Sequence, residues 1–292
     1  MCYNGIMDMQ ILQFFESIRC PFLTVVFSAF SLLGETVPLI VVICLLYWIL
    51  DKKLAERLML TSFTSLTLNS YLKGLISRPR PYTVEGGVSR VELDNPLIST
   101  MELNATESFP SGHSQLSSGL FFTGAFHFNK KWAWILFPLL TLGVMCSRMY
   151  LGVHFPTDVL VGATLGIVFA CIWEFIYKKY DKQKFIIAGV YAAIFLVICF
   201  FFPSKSLAKN VACLLGIVIG IPLENKYIEF KNHKDSKKNW ARAGMGLLCV
   251  GAEYLLFSAL PISGIVASFI KYFLLVMVAS LLVPYLFKKL KI

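Results

Sequence analysis

The chain has 292 residues, of which 57% are hydrophobic and only 15% charged, with a mean hydropathy of +0.70. A soluble domain holds about 45–50% apolar and about 25% charged residues, so these values exclude a soluble globular enzyme and describe an integral membrane protein. The net charge of +10 does not point to nucleic acid as a partner, because the basic residues lie in short segments between apolar runs, as the positive-inside rule requires.

Met1 to Asp8 has neither a basic start nor an apolar core, so no cleavable signal is expected and the first spanning helix should direct insertion. Met9 to Ile18 alternates like an amphipathic helix, and Pro21 to Leu33 is apolar but brief, ending at Gly34-Glu35. These residues form either an interfacial helix with a half-span or one further crossing, and we favour the crossing. A helix needs about 20 apolar residues to cross the hydrocarbon layer. By that measure spans are expected at 36–50, 55–76, 114–128, 132–149, 157–177, 185–202, 207–224, 243–260 and 264–287. The expected fold is all-α and polytopic, with a helical core over 1–181 and a second transmembrane block of about four helices over 182–292.

Most of the 27 Lys and Arg fall within 51–57, 129–131, 178–184, 226–242 and 288–291. That side is expected to be cytoplasmic, the C-terminus included. The five tryptophans, Trp48, Trp132, Trp134, Trp173 and Trp240, lie at the same ends, where amphipathic rings favour the interface. The eight cysteines are scattered through apolar stretches without metal-ligand or disulfide spacing. The longest loop of the N-terminal half runs from Ser77 to Phe109 on the outer side. Nothing in the sequence specifies an oligomeric state.

Three polar segments are expected at the outer ends of helices. They are Lys73-Gly74-Leu75-Ile76-Ser77-Arg78-Pro79-Arg80-Pro81, then Pro110-Ser111-Gly112-His113, then Ser147-Arg148 with His154-Phe155-Pro156-Thr157-Asp158. Topology brings them to one membrane depth, and together they suit a phosphate monoester. Lys and Arg neutralise phosphate oxygens, Arg through paired hydrogen bonds. Ser111 and the backbone N–H groups of Gly112 and His113 can cradle another oxygen at a helix N-terminus. Two histidines allow one to attack and the other to donate a proton. Asp158, four residues after His154, can fix its tautomer. No carboxylate cluster suited to a metal accompanies them, so the positive charge must come from Lys and Arg.

The pattern Lys, six residues, Arg-Pro; Pro-Ser-Gly-His; and Ser-Arg, five residues, His, three residues, Asp resembles the type 2 phosphatidic acid phosphatase (PAP2) superfamily over Lys73 to Asp158. The resemblance implies a PAP2-type bundle and a metal-independent lipid phosphate phosphatase with no cofactor. His154 would attack phosphorus to form a phosphohistidine, oriented by Asp158. His113 would protonate the leaving alkoxide and then activate water. Lys73, Arg80, Ser111, Gly112 and Arg148 would hold the phosphoryl group, with Arg78 auxiliary. The implied substrates are phosphatidate, phosphatidylglycerol phosphate, a polyprenyl pyrophosphate or a sphingoid phosphate, cleaved at the outer face of the cell membrane. Leu33-Gly34-Glu35, Leu46-Tyr47-Trp48, Asp51-Lys52-Lys53 and Asn69 are similar to the branch that includes sphingosine-1-phosphate phosphatase-like proteins.

Plainer readings stand beside these. Either histidine, taken singly, can be an ordinary helix cap, and Lys73 and Arg80 can be interfacial anchors that snorkel to head groups. His127 and His233 read as surface residues, and Tyr82, Glu85, Glu102 and Glu107 as loop residues that either shape head-group access or, for the carboxylates, are simply solvated. Glu253, inside an apolar helix, reads as a paired or protonated structural carboxyl. With the extra helices it also motivates the alternative of a phospholipid or polyprenyl-phosphate transporter using the same pocket. Vanadate-dependent haloperoxidase chemistry uses similar oxyanion ligands, but in soluble relatives.

Overall fold

The structure is a computed structural model that describes residues 6–93, 107–232, 235–261 and 263–292, so that Glu102 and His233 lie outside the described residues. Among the described residues every regular element is helical. A backbone without water to bond must satisfy its N–H and C=O groups internally, and the helix does so within one segment. In chain order the helices are α1 (Ile6–Ser17), α2 (Pro21–Leu32), α3 (Thr36–Leu45), α4 (Lys52–Ile76), α5 (Gly112–Phe128) and α6 (Lys131–Tyr150). They continue with α7 (Pro156–Lys179), α8 (Lys184–Phe201), α9 (Lys205–Leu223), α10 (Ser236–Ala259), α11 (Ile265–Met277) and α12 (Val283–Leu290). Wide π-type turns extend α3 through Leu50 and α9 through Ile228, and join α11 to α12. Local chemistry sets the ends that matter for the site. Ser111 caps the start of α5, Asn129 adopts the left-handed conformation that ends it, and α7 opens on Pro156.

Among the described residues five segments can cross a bilayer by length and composition: Lys131–Tyr150, Pro156–Lys179, Asp181–Phe201, Lys205–Ile228 and Ile265–Leu290. α2 and α3 make a sixth if taken together, bent by 51° at the break between them. This corrects the N-terminal expectation, since residues 9–33 do not form a crossing of their own. α1 has 12 residues, roughly 18 Å at about 1.5 Å per residue, against a hydrocarbon core of about 30 Å. α2 is a half that continues into α3. Three expected spans, α4, α5 and α10, fall outside the qualifying set. α5 is short at 17 residues. α4 is long enough, but the buried Thr61, Ser62, Thr64, Ser65, Thr67, Asn69 and Ser70 make its middle polar.

The chain divides into two compact units. The first joins Met1–Leu39 to Tyr71–Cys171, and the second joins Ile40–Ser70 to Ile172–Ile292, so the second draws on both sides of position 181. In the first unit α5, α2 and α1 all pack on α6. The end of α6 and its connector to α7 are buried there: Tyr150, Leu151 and Val153 pack under Phe15, Ile18, Leu23 and Phe27. Tyr150 stacks on Phe27 with ring centroids 4.5 Å apart, and Arg19 Nε donates to Tyr150 O at 3.0 Å. Gly152, at φ +72°, turns the connector at a place where a Cβ would stand 2.3 Å from Ser89 O. The N-terminal helices therefore clamp the segment that carries His154.

In the second unit two of the polar residues of α4 are met by side chains of other helices. Thr64 Oγ1 accepts from Trp173 Nε1 at 2.8 Å, and Asn210 Nδ2 donates to Ser70 Oγ at 2.8 Å and Leu66 O at 3.2 Å. Such bonds hold helices together where apolar burial gives no preference for protein over lipid. At its basic end Glu224 is fully buried, paired with Lys52, and accepts from Phe230 N at 2.9 Å and Tyr47 Oη at 3.2 Å. Replacing Glu224 with Ala strands a partly buried ammonium and a buried phenol. We expect a lower melting temperature in detergent, equivalent to about 2–4 kcal/mol after discounting the exposed part of Lys52. An unchanged melting temperature would contradict that role.

Candidate active site

All eight residues singled out in the sequence, Lys73, Arg80, Ser111, Gly112, His113, Arg148, His154 and Asp158, lie in the first unit. Its hydrogen bonds tie the three segments together. Lys73, near the end of α4, donates through Nζ to Glu107 O at 2.5 Å, and Arg80 Nη2 donates to the same carbonyl at 3.1 Å. That shared acceptor brings two cations of the first segment together beside the second. Arg80 Nη1 donates to Val153 O at 2.8 Å and lies 3.4 Å from His154 Nε2, which joins the first segment to the third. Ser111 N donates to Asp158 O at 3.0 Å, which closes the second onto the third.

The oxyanion groups differ in how they are held. Ser111 is fully buried and its Oγ accepts from Ser114 N at 3.5 Å and Ser114 Oγ at 3.1 Å. Its own hydroxyl proton is therefore left to donate. Gly112 begins α5, where the first N–H groups have no intrahelical partner. Arg148 is fully buried, and its Nη1 donates to Ser31 Oγ at 2.5 Å. Its Nε and Nη2 have no partner among the described residues. Buried guanidinium nitrogens without acceptors are costly, and a bound oxyanion would supply acceptors.

His154 is 2% exposed, in the connector between α6 and α7. Its Nδ1 lies 3.6 Å from Asp158 Oδ2, too far for the hydrogen bond that the spacing predicts, and has no hydrogen-bond partner among the described residues. The reason is competition for the carboxylate. Asp158 Oδ2 already accepts from Ser108 Oγ at 2.5 Å and Phe155 N at 2.9 Å, and Oδ1 from Arg78 Nη1 at 2.5 Å. Hydrogen bonds of this kind are often long in an unliganded site and tighten around substrate. Burial, with Arg80, Lys73, Arg148 and His113 around it, holds the His154 imidazole well below its ordinary value of 6.5.

Four residues near this cluster escaped the sequence reading or were underrated by it. Arg78, taken as auxiliary, is buried over the Phe155 ring and binds Asp158, Thr157 Oγ1 at 2.7 Å and Asp8 Oδ2 at 3.2 Å. Asp8 and Ser108 carried no signal of their own in the sequence. Glu35 did, because a carboxylate beside an apolar run is a functional candidate by default, and its Oε1 lies 2.9 Å from His113 Nε2. Of the loop candidates, Glu107 enters through its backbone carbonyl, and Tyr82 packs against the buried α6–α7 connector. Of the two structural readings of Glu253, a paired or a protonated carboxyl, the hydrogen-bonded pairing is not formed among the described residues. Neither of its oxygens has a hydrogen-bond partner among the described residues, while Lys271 donates to Ser258 Oγ and stands over the Tyr254 ring. No group of three His, Cys, Asp or Glu among the described residues is placed to hold a metal ion.

Residues 54–182 match the PAP2 superfamily, and residues 208–292 match a family described as the transmembrane extension of PAP2 superfamily phosphatases. The chain is 30% identical over 181 residues to a lipid A 4'-phosphatase of Bacteroides thetaiotaomicron, covering 59% of this chain and 77% of that one. It is 32% identical over 179 residues to phosphatidylglycerophosphatase B of Bacillus subtilis, covering 57% and 79%. A third relative, an undecaprenyl-diphosphatase of Sulfolobus acidocaldarius, is 30% identical over 118 residues, covering 39% and 51%. The crystal structure of Aquifex aeolicus LpxE is similar with a TM-score of 0.50 and 27% identity, covering 58% of this chain and 96% of that one. With its apolar spans, its paired histidines and its buried cations in these segments, the chain belongs to the PAP2 superfamily and is a multi-span membrane phosphatase.

Proposed function

We propose that the protein hydrolyses a phosphomonoester or the terminal phosphate of a pyrophosphate on a membrane lipid, without a metal, through a phosphohistidine on the extracytoplasmic side. The observation that carries this reading is the fully buried Arg148, with two guanidinium nitrogens unsatisfied, in the same cluster as Arg80, Lys73 and both histidines. Lys73, Arg80 and Arg148 offset the charge of the phosphoryl oxygens, with the Ser111 hydroxyl and the N–H groups at the start of α5 as further donors. His154 Nε2 attacks phosphorus while His113 gives a proton to the departing ester oxygen. The neutral His113 then takes a proton from water as that water attacks the phosphohistidine. Inorganic phosphate leaves and His154 is regenerated, so the protons balance over the cycle.

Asp158 supports the imidazolium character that develops on His154, and Arg78 fixes the carboxylate for that task. The candidate lipids are phosphatidate, phosphatidylglycerol phosphate, a polyprenyl pyrophosphate and a sphingoid phosphate, to which the relatives add a lipid A phosphate. The bias of basic residues toward the opposite helix ends supports the outer location. We read residues 182–292 as a transmembrane block added to a phosphatase core over 1–181, in line with the separate matches to the two regions.

Replacing His154 with Ala should cut phosphate release from every candidate lipid on the order of a thousandfold or more, while a chelator leaves the wild-type rate unchanged. Wild-type rates in the His154→Ala variant across the whole panel would contradict the mechanism. The depressed basicity of His154 has a separate readout. The group is lowered, so it stays neutral, and able to attack, below the pH at which an ordinary histidine charges. In an imidazole carbon titration of the detergent-solubilised protein, the resonance lost on His154→Asn should keep its neutral shift at pH 6.5 and below. A midpoint at or above 6.5 would refute the proposed burial effect.

A further inference from the structure

The break between α2 and α3 has a use beyond bending the chain. Gly34 N donates to Ser31 O at 2.9 Å and Glu35 N to Leu32 O at 3.2 Å, so a tight turn ends α2 and throws Glu35 out of the helical path. A Cβ on Gly34 would stand 2.9 Å from His113 Cβ and 3.2 Å from His113 Cα. Glycine is therefore what lets this turn lie against the first residues of α5. The same turn brings Ser31 to Arg148 Nη1 and Glu35 Oε1 to within 2.9 Å of His113 Nε2. The oxygen lies within hydrogen-bond distance of Nε2 but off the N–H axis. Glu35 is only 7% exposed. A carboxylate taken from water in an apolar segment is costly unless a partner of opposite charge stands beside it.

We propose that Glu35 is the positioning residue for His113, holding the ring through Nε2, favouring its protonated form and leaving Nδ1 to deliver the proton. This rests on the reading of His113 as the leaving-group acid. The site then contains two carboxylate–histidine pairs, Asp158 with His154 and Glu35 with His113, drawn from separate parts of the chain. As the P–O bond to the leaving group breaks, the Nδ1 proton passes to the ester oxygen and Nε2–H stays with Glu35. The ring becomes neutral and recovers its proton from the attacking water. An ester with an alkoxide leaving group needs that proton, whereas a nitrophenolate can leave without it.

The test compares Glu35→Gln with wild type in the full-length protein, on a short-chain phosphatidate and on a nitrophenyl phosphate. The proposal expects kcat on the phosphatidate to fall on the order of tenfold or more, with a much smaller fall on the nitrophenyl ester. Glu35→Asp, which keeps the charge, should recover part of the loss and serves as the test variant if Glu35→Gln does not fold. Equal losses on both esters, or rates unchanged on both, would overturn the proposal. His113→Asn measured on the same two esters separates the possible failures. If that variant distinguishes the esters and Glu35→Gln does not, Glu35 is structural and the role of His113 stands. If His113→Asn does not distinguish them, the reading of His113 as the acid falls, and the positioning role with it.

Discussion

Collecting positive charge out of water is the constraint on which this structure depends. Arg78, Arg80 and Arg148 are each at most 5% exposed, and like charges in a poorly solvated site repel unless each is assigned a partner. Those assignments define the architecture of the first unit. Arg78 is neutralised by Asp8 and Asp158 and becomes part of the scaffold. Arg80 and Lys73 both donate to the Glu107 carbonyl, and Arg80 also donates to Val153 O. Arg148 donates to the Ser31 hydroxyl, and its Nε and Nη2 have no hydrogen-bond partner among the described residues. Positive charge is thus gathered beside the two histidines.

The N-terminal helices are what make such a site rigid. α1 is too short to cross a bilayer, and with α2 it packs over the α6–α7 connector through Phe15, Leu23 and Phe27. The same region supplies Asp8 to Arg78, Ser31 to Arg148 and Glu35 to His113. Three polar contacts with the site therefore come from one stretch at the start of the chain. Preorganised groups of this kind need little rearrangement when charge moves in the transition state.

The three segments that carry Lys73, His113 and His154 were legible in the sequence for a physical reason. Groups that meet on one phosphoryl group sit at helix ends, and alternating the apolar runs places those ends at one depth. The membrane class was legible from composition, the all-α fold from apolar runs of spanning length, and the PAP2-type bundle from the resemblance carried by the three motifs. What escaped is what has no period or spacing to betray it. Asp8 pairs with Arg78 across 70 positions, and Glu35 with His113 across 78. The break at Gly34 reads in sequence as the end of an apolar run, although its purpose is steric. α4 reads as a membrane span, yet Thr64 accepts from Trp173 and Ser70 from Asn210, partners that no spacing in the sequence marks. The hydrogen bond expected from His154 to Asp158 failed because spacing alone cannot count the other donors that compete for one carboxylate.

The central claim is covalent: phosphorus passes through His154. Its most direct test is alkaline quench of the His113→Asn variant during turnover of a phosphorus-labelled nitrophenyl phosphate, whose leaving group departs without the acid that the variant lacks, followed by mapping of the phosphorylated peptide. Losing the group that activates water should make the intermediate persist. The account predicts a base-stable phosphoryl group on His154, absent when His154 is also replaced by Asn. A phosphoryl group on any other residue, or turnover with no residue labelled at any quench time, would contradict it.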